Sequence, residues 1–247
     1  MAPVQPEIVP LAKMDDAALA AIAFGFAAPG ALLSVDVPQL GDVPLVEVWR
    51  SVTPVRRTER DGIALAANGD VIVGALACDS ADAHRAAACV YDRLIGVARA
   101  EGYPHVQRVW NHVRDINRIV RGLERYRAFS AGRHEAFAKH GYAMRGAGLV
   151  FVSGTASVVG HETKHVGDVA RQLDETLVNL DAIVRAAGAS EMLIAKVYVR
   201  RRDDYALIAA RLREAMPRTQ TMFLHAELCR ADLLVEIDGV AALSPRA

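Results

Sequence analysis

Apolar positions along this chain follow two periods, and each period predicts one type of element. From Asp168 to Ala186 the apolar residues recur at steps of three and four, which predicts an amphipathic helix. Near the C-terminus the stretch LCRADLLVEID alternates instead, with Leu233, Val235 and Ile237 on one side and Leu234, Glu236 and Asp238 on the other. This alternation predicts a strand with one face against the core.

These patterns form an internal repeat with a constant shift of 86 positions. The hairpin pattern GIALAANGDVIVGALA at 62–77 falls on GLVFVSGTASVVGHET at 148–163, and the helical pattern at 82–100 falls on 168–186. The predicted strands RVWNHVRD and AKVYVRRR then coincide, with Val113 on Val199, and predicted helices follow at Leu123–His140 and Asp204–Met216. The shared order predicts an α+β fold of two tandem modules, with mixed sheets packed against helices. We expect the modules to occupy residues 1–143 and 144–247.

The repeat is incomplete where the two modules join. The second module ends in two predicted strands, TMFLHAEL and ADLLVEIDGV, but only GYAMRGA separates the last helix of the first module from the second hairpin. The first module in turn begins with a predicted strand, PLVEVWRS, that the second module lacks. About three strands are therefore missing at the junction when one module is compared with the other.

Composition and charge narrow the class of protein. The 29 basic residues balance the 29 acidic ones, which argues against a nucleic-acid binder with a broad basic field. The three cysteines have no metal-ligand spacing, so we expect no metal, and we interpret Cys78 and Cys89 as core residues. Neither a targeting segment nor an apolar run of membrane-spanning length is present, so we expect a cytoplasmic protein without membrane contact.

Several stretches resemble known families. A hairpin ending in Ser-Gly, the helix QLDETLVNLDAIVRAAGAS, the strand VYV and the final strand VEI look like the Rid/YjgF (chorismate-mutase-like) fold. The whole chain is more similar to the chorismatase family, which includes the 3- and 4-hydroxybenzoate synthases. That similarity rests on VEVWRS, ERDGIALAANGDVIVG, RVWNHVRDIN, ERYRAFSAGRHEAF, VSGTASVVGHETKH, DVARQLDETLVNL and LCRADLLVEIDG. The family has two Rid-like modules in one chain and carries a segment at the junction that this chain lacks.

The resemblance implies cleavage of the small dianion chorismate to pyruvate and a hydroxybenzoate, most readily 3-hydroxybenzoate, without a cofactor. From the pattern alone, Glu236 is either a solvent-facing carboxylate or an acid in a pocket, and the resemblance implies the acid that protonates the enol ether. Cys229 matches the family members that form 3-hydroxybenzoate, where a thiol assists the rearrangement, although a small buried hydrophobe is an equally good interpretation.

The resemblance also implies which residues hold the substrate. Arg133 and Arg108 are the candidates for guanidinium contacts to its two carboxylates, and Tyr126 is a candidate hydroxyl donor. For both arginines a solvated surface charge remains an alternative. Two other functions stay open: a Rid-like imine or enamine deaminase, which would depend on Arg218, and a non-catalytic ligand-binding protein. Rid-like packing would make the protein a homo-oligomer, for example a trimer.

Overall fold

The computed structural model of the protein describes residues 4–15, 18–141 and 149–243, which form four helices and sixteen strands, many of them short. The helices are α1 Ala83–Ala100, α2 Arg125–His140, α3 Val169–Ala186 and α4 Tyr205–Ala215. The strands before α2 are β1 Val4–Pro10, β2 Ala18–Phe24, β3 Leu33–Val35, β4 Gln39–Leu40, β5 Leu45–Ser51, β6 Arg56–Arg60, β7 Ile63–Ala67, β8 Ile72–Ala75, β9 Ile119–Val120 and β10 Leu123–Glu124. The strands after it are β11 Leu149–Ala156, β12 Val158–Val159, β13 Glu162–Thr163, β14 Ala189–Val199, β15 Gln220–His225 and β16 Val235–Leu243.

The central layer is a five-stranded sheet in the order β11-β16-β14-β15-β4. Strands β14 and β15 are parallel, because helix α4 crosses over between them, and the other neighbours are antiparallel. Helix α3 and helix α4 bury their apolar sides against one face of this sheet, through residues such as Leu173, Leu180 and Leu212. The predicted α+β class, with mixed sheets packed against helices, is confirmed.

The other face of the central sheet is covered by a second sheet of four strands, β1-β5-β2-β3. Phe24 and Trp49 from this second sheet share one apolar cluster with Ile194, Met222 and Val240 from the central sheet. Because both faces of the central sheet are covered, alternate residues of β16 lie in two different layers of the core, one against the helices and one against the second sheet. Val235 and Ile237 face the helices, while Glu236 and Asp238 lie on the face that is turned toward the second sheet.

A smaller sheet, β6-β7-β8, carries α1 on one side through Ile63, Leu65 and Val97. Helix α2 packs along α1 at very short range, since a Cβ at Gly132 would lie 2.0 Å from the carbonyl oxygen of His84. Glycine is therefore required there by the spacing of the two helices. Strand β6 is exposed along its whole length.

The repeat predicted from the sequence is visible in the helix starts. Asp82 accepts a hydrogen bond from the backbone N–H of Arg85 at 3.0 Å, and Asp168 accepts one from Arg171 at 3.1 Å. Both are N-cap contacts, which satisfy a backbone donor that the first turn of a helix leaves free. The cap and its partner are displaced by the same 86 positions in the two repeats.

One predicted strand is wrong. The stretch RVWNHVRD contains no strand, although its counterpart AKVYVRRR lies largely within β14. Its side chains turn instead toward the space between the two sheets: Arg108 bonds to Ser153, and Trp110 packs on Trp49. Asn111 points the other way and accepts a hydrogen bond from Tyr91 of α1. Packing of alternate side chains therefore fixes this segment in place of a backbone ladder.

Two further expectations need comment. Cys78 and Cys89 are exposed rather than in the core, because Cys78 follows β8 in a loop and Cys89 lies on the outer side of α1. The expected module boundary between 143 and 144, and the junction at which strands are missing, lie outside the described residues. Across the described ranges no helix has the length and apolar composition to span a membrane.

Candidate active site

Two carboxyl groups of β16, Glu236 and Asp238, lie on the side of the central sheet that the second sheet covers. Glu236 is paired across the sheet with Tyr198 of β14 on one side and with Ala156 of β11 on the other. The solvent-facing interpretation of Glu236 is therefore wrong, because a second sheet covers this face. The sequence pattern does not reveal that sheet.

The immediate neighbours of Glu236 are uncharged. The thiol of Cys229 lies 3.9 Å from its Oε2, within reach of a weak S–H donor. The bulge of β11 brings Gly154 so close that a Cβ there would lie 1.9 Å from Oε1. Burial, reinforced by the charge of Asp238, raises the pKa of Glu236 to about 7. A substantial fraction of this carboxyl group is consequently still protonated near neutral pH.

The thiol of Cys229 is also neutral near pH 7. Burial, together with the charges of Glu236 and Glu124, raises its pKa to about 11, against a smaller opposing effect of Arg230. A thiol in this state is a hydrogen-bond donor or acceptor and not a thiolate nucleophile.

Asp238 belongs to a buried group of charges that joins the two sheets. Its Oδ2 accepts a hydrogen bond from the hydroxyl of Tyr198 at 3.1 Å, and its Oδ1 lies 3.7 Å from the ammonium of Lys196. Lys196 in turn bonds to Glu47 of β5 at 2.6 Å, with both side chains almost fully buried. Burial raises the pKa of Asp238, and Lys196 opposes the effect. Burial also holds the pKa of Tyr198 well above its usual value.

Arg108 closes the site from the side of the first repeat. It donates a hydrogen bond to the hydroxyl of Ser153 at 2.9 Å, and its other terminal nitrogen lies 3.7 Å from Asp238. Its Nε is buried and has no hydrogen-bond partner in the described part of the chain. The guanidinium is thus only partly engaged by the protein and retains a donor for another acceptor.

Aromatic side chains form the wall beside Arg108. Trp110 packs edge-on against Trp49 and Phe151, and its ring lies 5.2 Å from the ammonium of Lys196. His112, from the same segment, packs against Phe24. Burial, with a contribution from Lys196, lowers the pKa of His112 to about 4, so this imidazole is neutral near pH 7.

The loop that carries Cys229 is held by two polar side chains from neighbouring elements. Arg200, just after β14, donates to the carbonyl oxygens of Leu228, Arg230 and Leu233. Gln172 of α3, fully buried, donates to Asp232 and accepts from the N–H of Leu234. These contacts fix the approach of Cys229 to Glu236. The hydrophobic pattern does not single out either side chain. The one signal in the sequence is a Gln placed beside the apolar stripe of α3, which could have indicated a buried polar contact.

Arg133 and Tyr126 lie on α2. Arg133 is half-buried, with its guanidinium over the ring of Phe129 at 5.6 Å. In the part of the chain that the structure describes, neither Arg133 nor Tyr126 makes a hydrogen bond, ion pair or ring contact with Glu236. The charge of Glu124, immediately before α2, raises the pKa of Cys229. Arg200 donates a hydrogen bond to Asn117, seven residues before Glu124. The segment that leads into α2 is thus tied to the Cys229 loop.

Other sequence-derived candidates lie apart from this group. Arg218 is strongly exposed and pairs with Glu191 at 2.7 Å. Two open depressions beside α1, one lined by Arg60 and Arg93 and the other by Arg85 and Lys139, share no residue with the carboxyl site. In the described ranges no cluster of three or more His, Cys, Asp or Glu residues has an arrangement that could hold a metal.

Comparison with known families gives two matches. Residues 47–170, about half of the chain, match the family described as chorismatase FkbO/Hyg5-like, N-terminal. Residues 131–243 match the family described as endoribonuclease L-PSP. The two matches together take in every element from β6 to β16, and they bear out the predicted relation to chorismatases and to the Rid-like fold.

Individual relatives agree with these matches. A 3-hydroxybenzoate synthase of Streptomyces hygroscopicus is 29% identical over 276 residues, which cover 80% of this chain and 81% of the relative. A chorismatase of Streptomyces rapamycinicus is 28% identical over 278 residues, which cover 81% and 83%. Both alignments have more positions than this chain has residues, so each relative contains residues without a counterpart here.

A solved structure extends the comparison to the fold. A crystal structure of chorismatase superposes on the chain with a TM-score of 0.81. The superposition covers 98% of this chain and 99% of that one, at 24% sequence identity.

Proposed function

The chain belongs to the FkbO/Hyg5-like chorismatase family, and from that premise we propose that it is an enzyme that cleaves the enolpyruvyl ether of chorismate to pyruvate and a hydroxybenzoate. The observation that carries this proposal is Glu236, a largely buried carboxyl group whose pKa is raised to about 7 and which has no cation as a direct neighbour among the described residues. Protonation of a carbon atom is slow, and it needs a positioned acid of this kind.

In the proposed reaction the proton of Glu236 passes to the terminal methylene carbon of the enol ether. The methylene becomes a methyl group, and the adjacent carbon becomes oxocarbenium-like until water or the neighbouring ring hydroxyl adds to it. If water adds, the ring later loses one molecule of water, so that none is consumed overall. Pyruvate then leaves, and the ring releases one proton as it becomes aromatic. One proton is taken up and one is released, and the atoms of chorismate equal those of pyruvate plus hydroxybenzoate. The reaction therefore needs no oxidant, and we propose that it needs no cofactor.

We assign the remaining candidate residues to the substrate. Arg108, whose Nε has no partner of its own, would bind one carboxylate of chorismate, and Arg133 would bind the other. Tyr126 would donate a hydrogen bond from its hydroxyl group. Lys196 is already paired with Glu47, so the two carboxylates of a dianionic substrate require other cations.

We propose 3-hydroxybenzoate as the product. Cys229 supports this choice, because its neutral thiol lies beside the acid and can orient the rearrangement of a cyclised intermediate. The name of the relative from Streptomyces hygroscopicus, 3-hydroxybenzoate synthase, points the same way. The predicted division into modules at 143/144, the cytoplasmic location and the homo-oligomeric state remain predictions.

The test is incubation of the purified protein with chorismate, with pyruvate followed enzymatically and aromatic products separated by chromatography. We expect pyruvate and 3-hydroxybenzoate in equal amounts. The Glu236→Gln variant should lose at least about 100-fold in rate, the usual contribution of a general acid. Glu59→Gln, on the exposed strand β6, is the matched control and should keep full activity.

Different results would redirect the assignment. Turnover that survives Glu236→Gln would remove Glu236 as the acid. Turnover to 4-hydroxybenzoate would retain the cleavage and overturn the role of Cys229. A folded protein that releases no pyruvate would leave a ligand-binding protein or a deaminase. For the deaminase, the exposed pair of Arg218 with Glu191 offers no support.

A further inference from the structure

The two carboxyl groups of β16 have very different neighbours. Asp238 has two cations within 4 Å, Lys196 and Arg108, and it accepts a hydrogen bond from Tyr198. Glu236 has no ion-pair partner among the described residues, and its carboxyl group accepts a weak hydrogen bond from the thiol of Cys229. Burial raises the pKa of both carboxyl groups, but a neighbouring cation favours the ionised form. These contacts therefore favour loss of the proton from Asp238 over loss from Glu236.

We propose that Asp238, fixed between Lys196, Arg108 and Tyr198, is a positioning residue that keeps the proton on Glu236 through the repulsion of like charges. Asp238 does not itself deliver a proton to the substrate. It determines which of the two carboxyl groups carries the proton. The inference rests on the proposed function, because it explains how the acid of that reaction stays protonated near neutral pH.

The charge of Asp238 depends on contacts that reach across both sheets. Lys196 is held by Glu47 of the second sheet at 2.6 Å, and Glu47 also accepts a hydrogen bond from the indole of Trp49 at 2.9 Å. The chain of groups thus runs from β5 through β14 to β16. Both members of the Lys196–Glu47 pair are almost fully buried, so solvent cannot screen their effect on Asp238.

Several charged or titratable groups surround the two carboxyls. They are Cys229 and Arg230 from the loop before β16, Glu124 from β10, Tyr198 and Lys196 from β14, Glu47 from β5, and Arg108 and His112 from the extended segment. Cys229, Tyr198 and His112 are neutral near pH 7, and Glu124 and Arg230 act on Cys229. The charge that raises the pKa of Glu236 to about 7, beside the larger effect of burial, is that of Asp238.

The test is a titration of both carboxyl groups in the intact protein without substrate, by ¹³C NMR of side-chain carboxyl labels in Glu and in Asp. The Glu236→Gln and Asp238→Asn variants assign the two resonances. In the unmodified protein we expect Asp238 to be ionised at a pH where Glu236 still titrates. In Asp238→Asn the midpoint of Glu236 should fall by about one pH unit or more, because two cations remain and the anion is gone.

Asp203→Asn is the control, since this exposed side chain lies in the short helical turn before α4 and not on the loop that carries Cys229. It should leave the midpoint of Glu236 unchanged. If the pyruvate assay is active, its alkaline limb should move with the midpoint in Asp238→Asn, with about a tenfold loss of rate above pH 8. A purely structural role for Asp238 would lower the melting temperature without moving either the midpoint or the alkaline limb.

The outcomes separate this inference from the proposed function. If Glu236 ionises before Asp238 in the unmodified protein, or if its midpoint does not move in Asp238→Asn, the inference is overturned whether or not pyruvate is released. If the midpoint moves as expected but no pyruvate forms from chorismate, the positioning role holds and the proposed reaction falls. Should Asp238→Asn fail to fold, the order of ionisation in the unmodified protein decides the question, with assignment through Glu236→Gln.

Discussion

The two repeats of this chain start their helices in the same way but differ in where they hold their charges. In the region of the first repeat, from β6 to α2, Glu101 contacts Arg56 and Arg60, and Asp92 contacts Lys139, in ion pairs at or near the surface. In the second repeat Lys196 and Asp238 are buried, and their charges are met by residues of other elements. The candidate site lies where the charges are buried.

The difference comes from what covers each sheet. The small sheet of the first repeat ends in the exposed strand β6, so charged side chains there remain in water. The central sheet of the second repeat has helices on one face and a four-stranded sheet on the other. Charges between two sheets must be matched by partners of opposite sign, and carboxyl groups without such a partner keep their protons. In the described part of the second repeat, a similar local pattern therefore yields a carboxyl group with a raised pKa.

The strongest test of this contrast is removal of one cation from each repeat. Lys196→Met should lower the free energy of unfolding by about 3–5 kcal/mol, because it leaves the buried Glu47 without a partner. Lys139→Met, on the exposed side of α2, should cost less than about 1 kcal/mol. Urea unfolding measures both. The double variant Glu47→Gln with Lys196→Met should recover much of the loss, and equal effects of the two single variants would contradict the contrast.

A second test uses the dependence of stability on pH. The ordinary pKa of Glu is 4.5 and that of Glu236 is about 7, so between these values the folded protein holds a proton that the unfolded chain has released. Stability is thus lost as the pH rises through this window, and above it the loss is constant.

Glu236→Gln has no such loss. Relative to the unmodified protein it should gain stability from pH 4.5 to 7, by on the order of 3 kcal/mol in total, and no more at higher pH. Urea unfolding at a series of pH values provides the comparison. A difference between the two proteins that is flat with pH would show that Glu236 titrates like an exposed carboxyl group.

The third test compares two glycines at close approaches. Gly132 faces the backbone of α1, which cannot move alone, whereas Gly154 faces the side chain of Glu236, which can rotate. Gly132→Val should therefore lower the free energy of unfolding by about 1–3 kcal/mol or more. Gly154→Val should lose less stability but should slow pyruvate release by about 100-fold, because the acid is displaced. The prediction fails if Gly154→Val is the less stable variant and retains its rate.

The smallest effects are expected where the repeats agree. Asp82→Ala and Asp168→Ala each remove one N-cap hydrogen bond at equivalent positions. Each should lower the melting temperature by about 2–4 °C, and the two decreases should be similar. Asn at either position accepts the same hydrogen bond and should restore most of the loss. A large inequality between the two alanine variants would mean that the helix starts are not equivalent.

Much of the fold could be predicted from the sequence because it depends on local periodicity. The helices at 83–100 and 169–186 begin at the acidic caps that the repeat aligns, and α2 and α4 lie within two residues of their predicted bounds. The segment around Arg108 could not be predicted in this way. Its apolar alternation is the same as that of a strand, but its backbone has no neighbouring strand. Its side chains pack instead against residues of the two sheets, as Trp110 does against Trp49.

The candidate site was predictable only in part. Glu236 and Cys229 followed from a family resemblance, and the structure brings their side chains together. Asp238 and Lys196 were not singled out, because a charged residue in an alternating strand normally predicts a solvent-facing side. Their pairing requires Glu47, which lies 149 positions from Lys196 in the chain. Contacts over such distances are invisible to any local pattern.

The segment that carries Arg108, Trp110 and His112 also determines how this pocket can diversify. A wall built on a sheet strand is tied to its neighbours by register, so a change in length disturbs the whole sheet. This segment is anchored mainly by alternate side chains, and deletion of one residue ahead of it would turn Val109, Asn111 and Val113 inward in their place. A single change in loop length would thereby exchange a cationic and aromatic lining for a neutral one while the carboxyl groups of β16 stayed where they are.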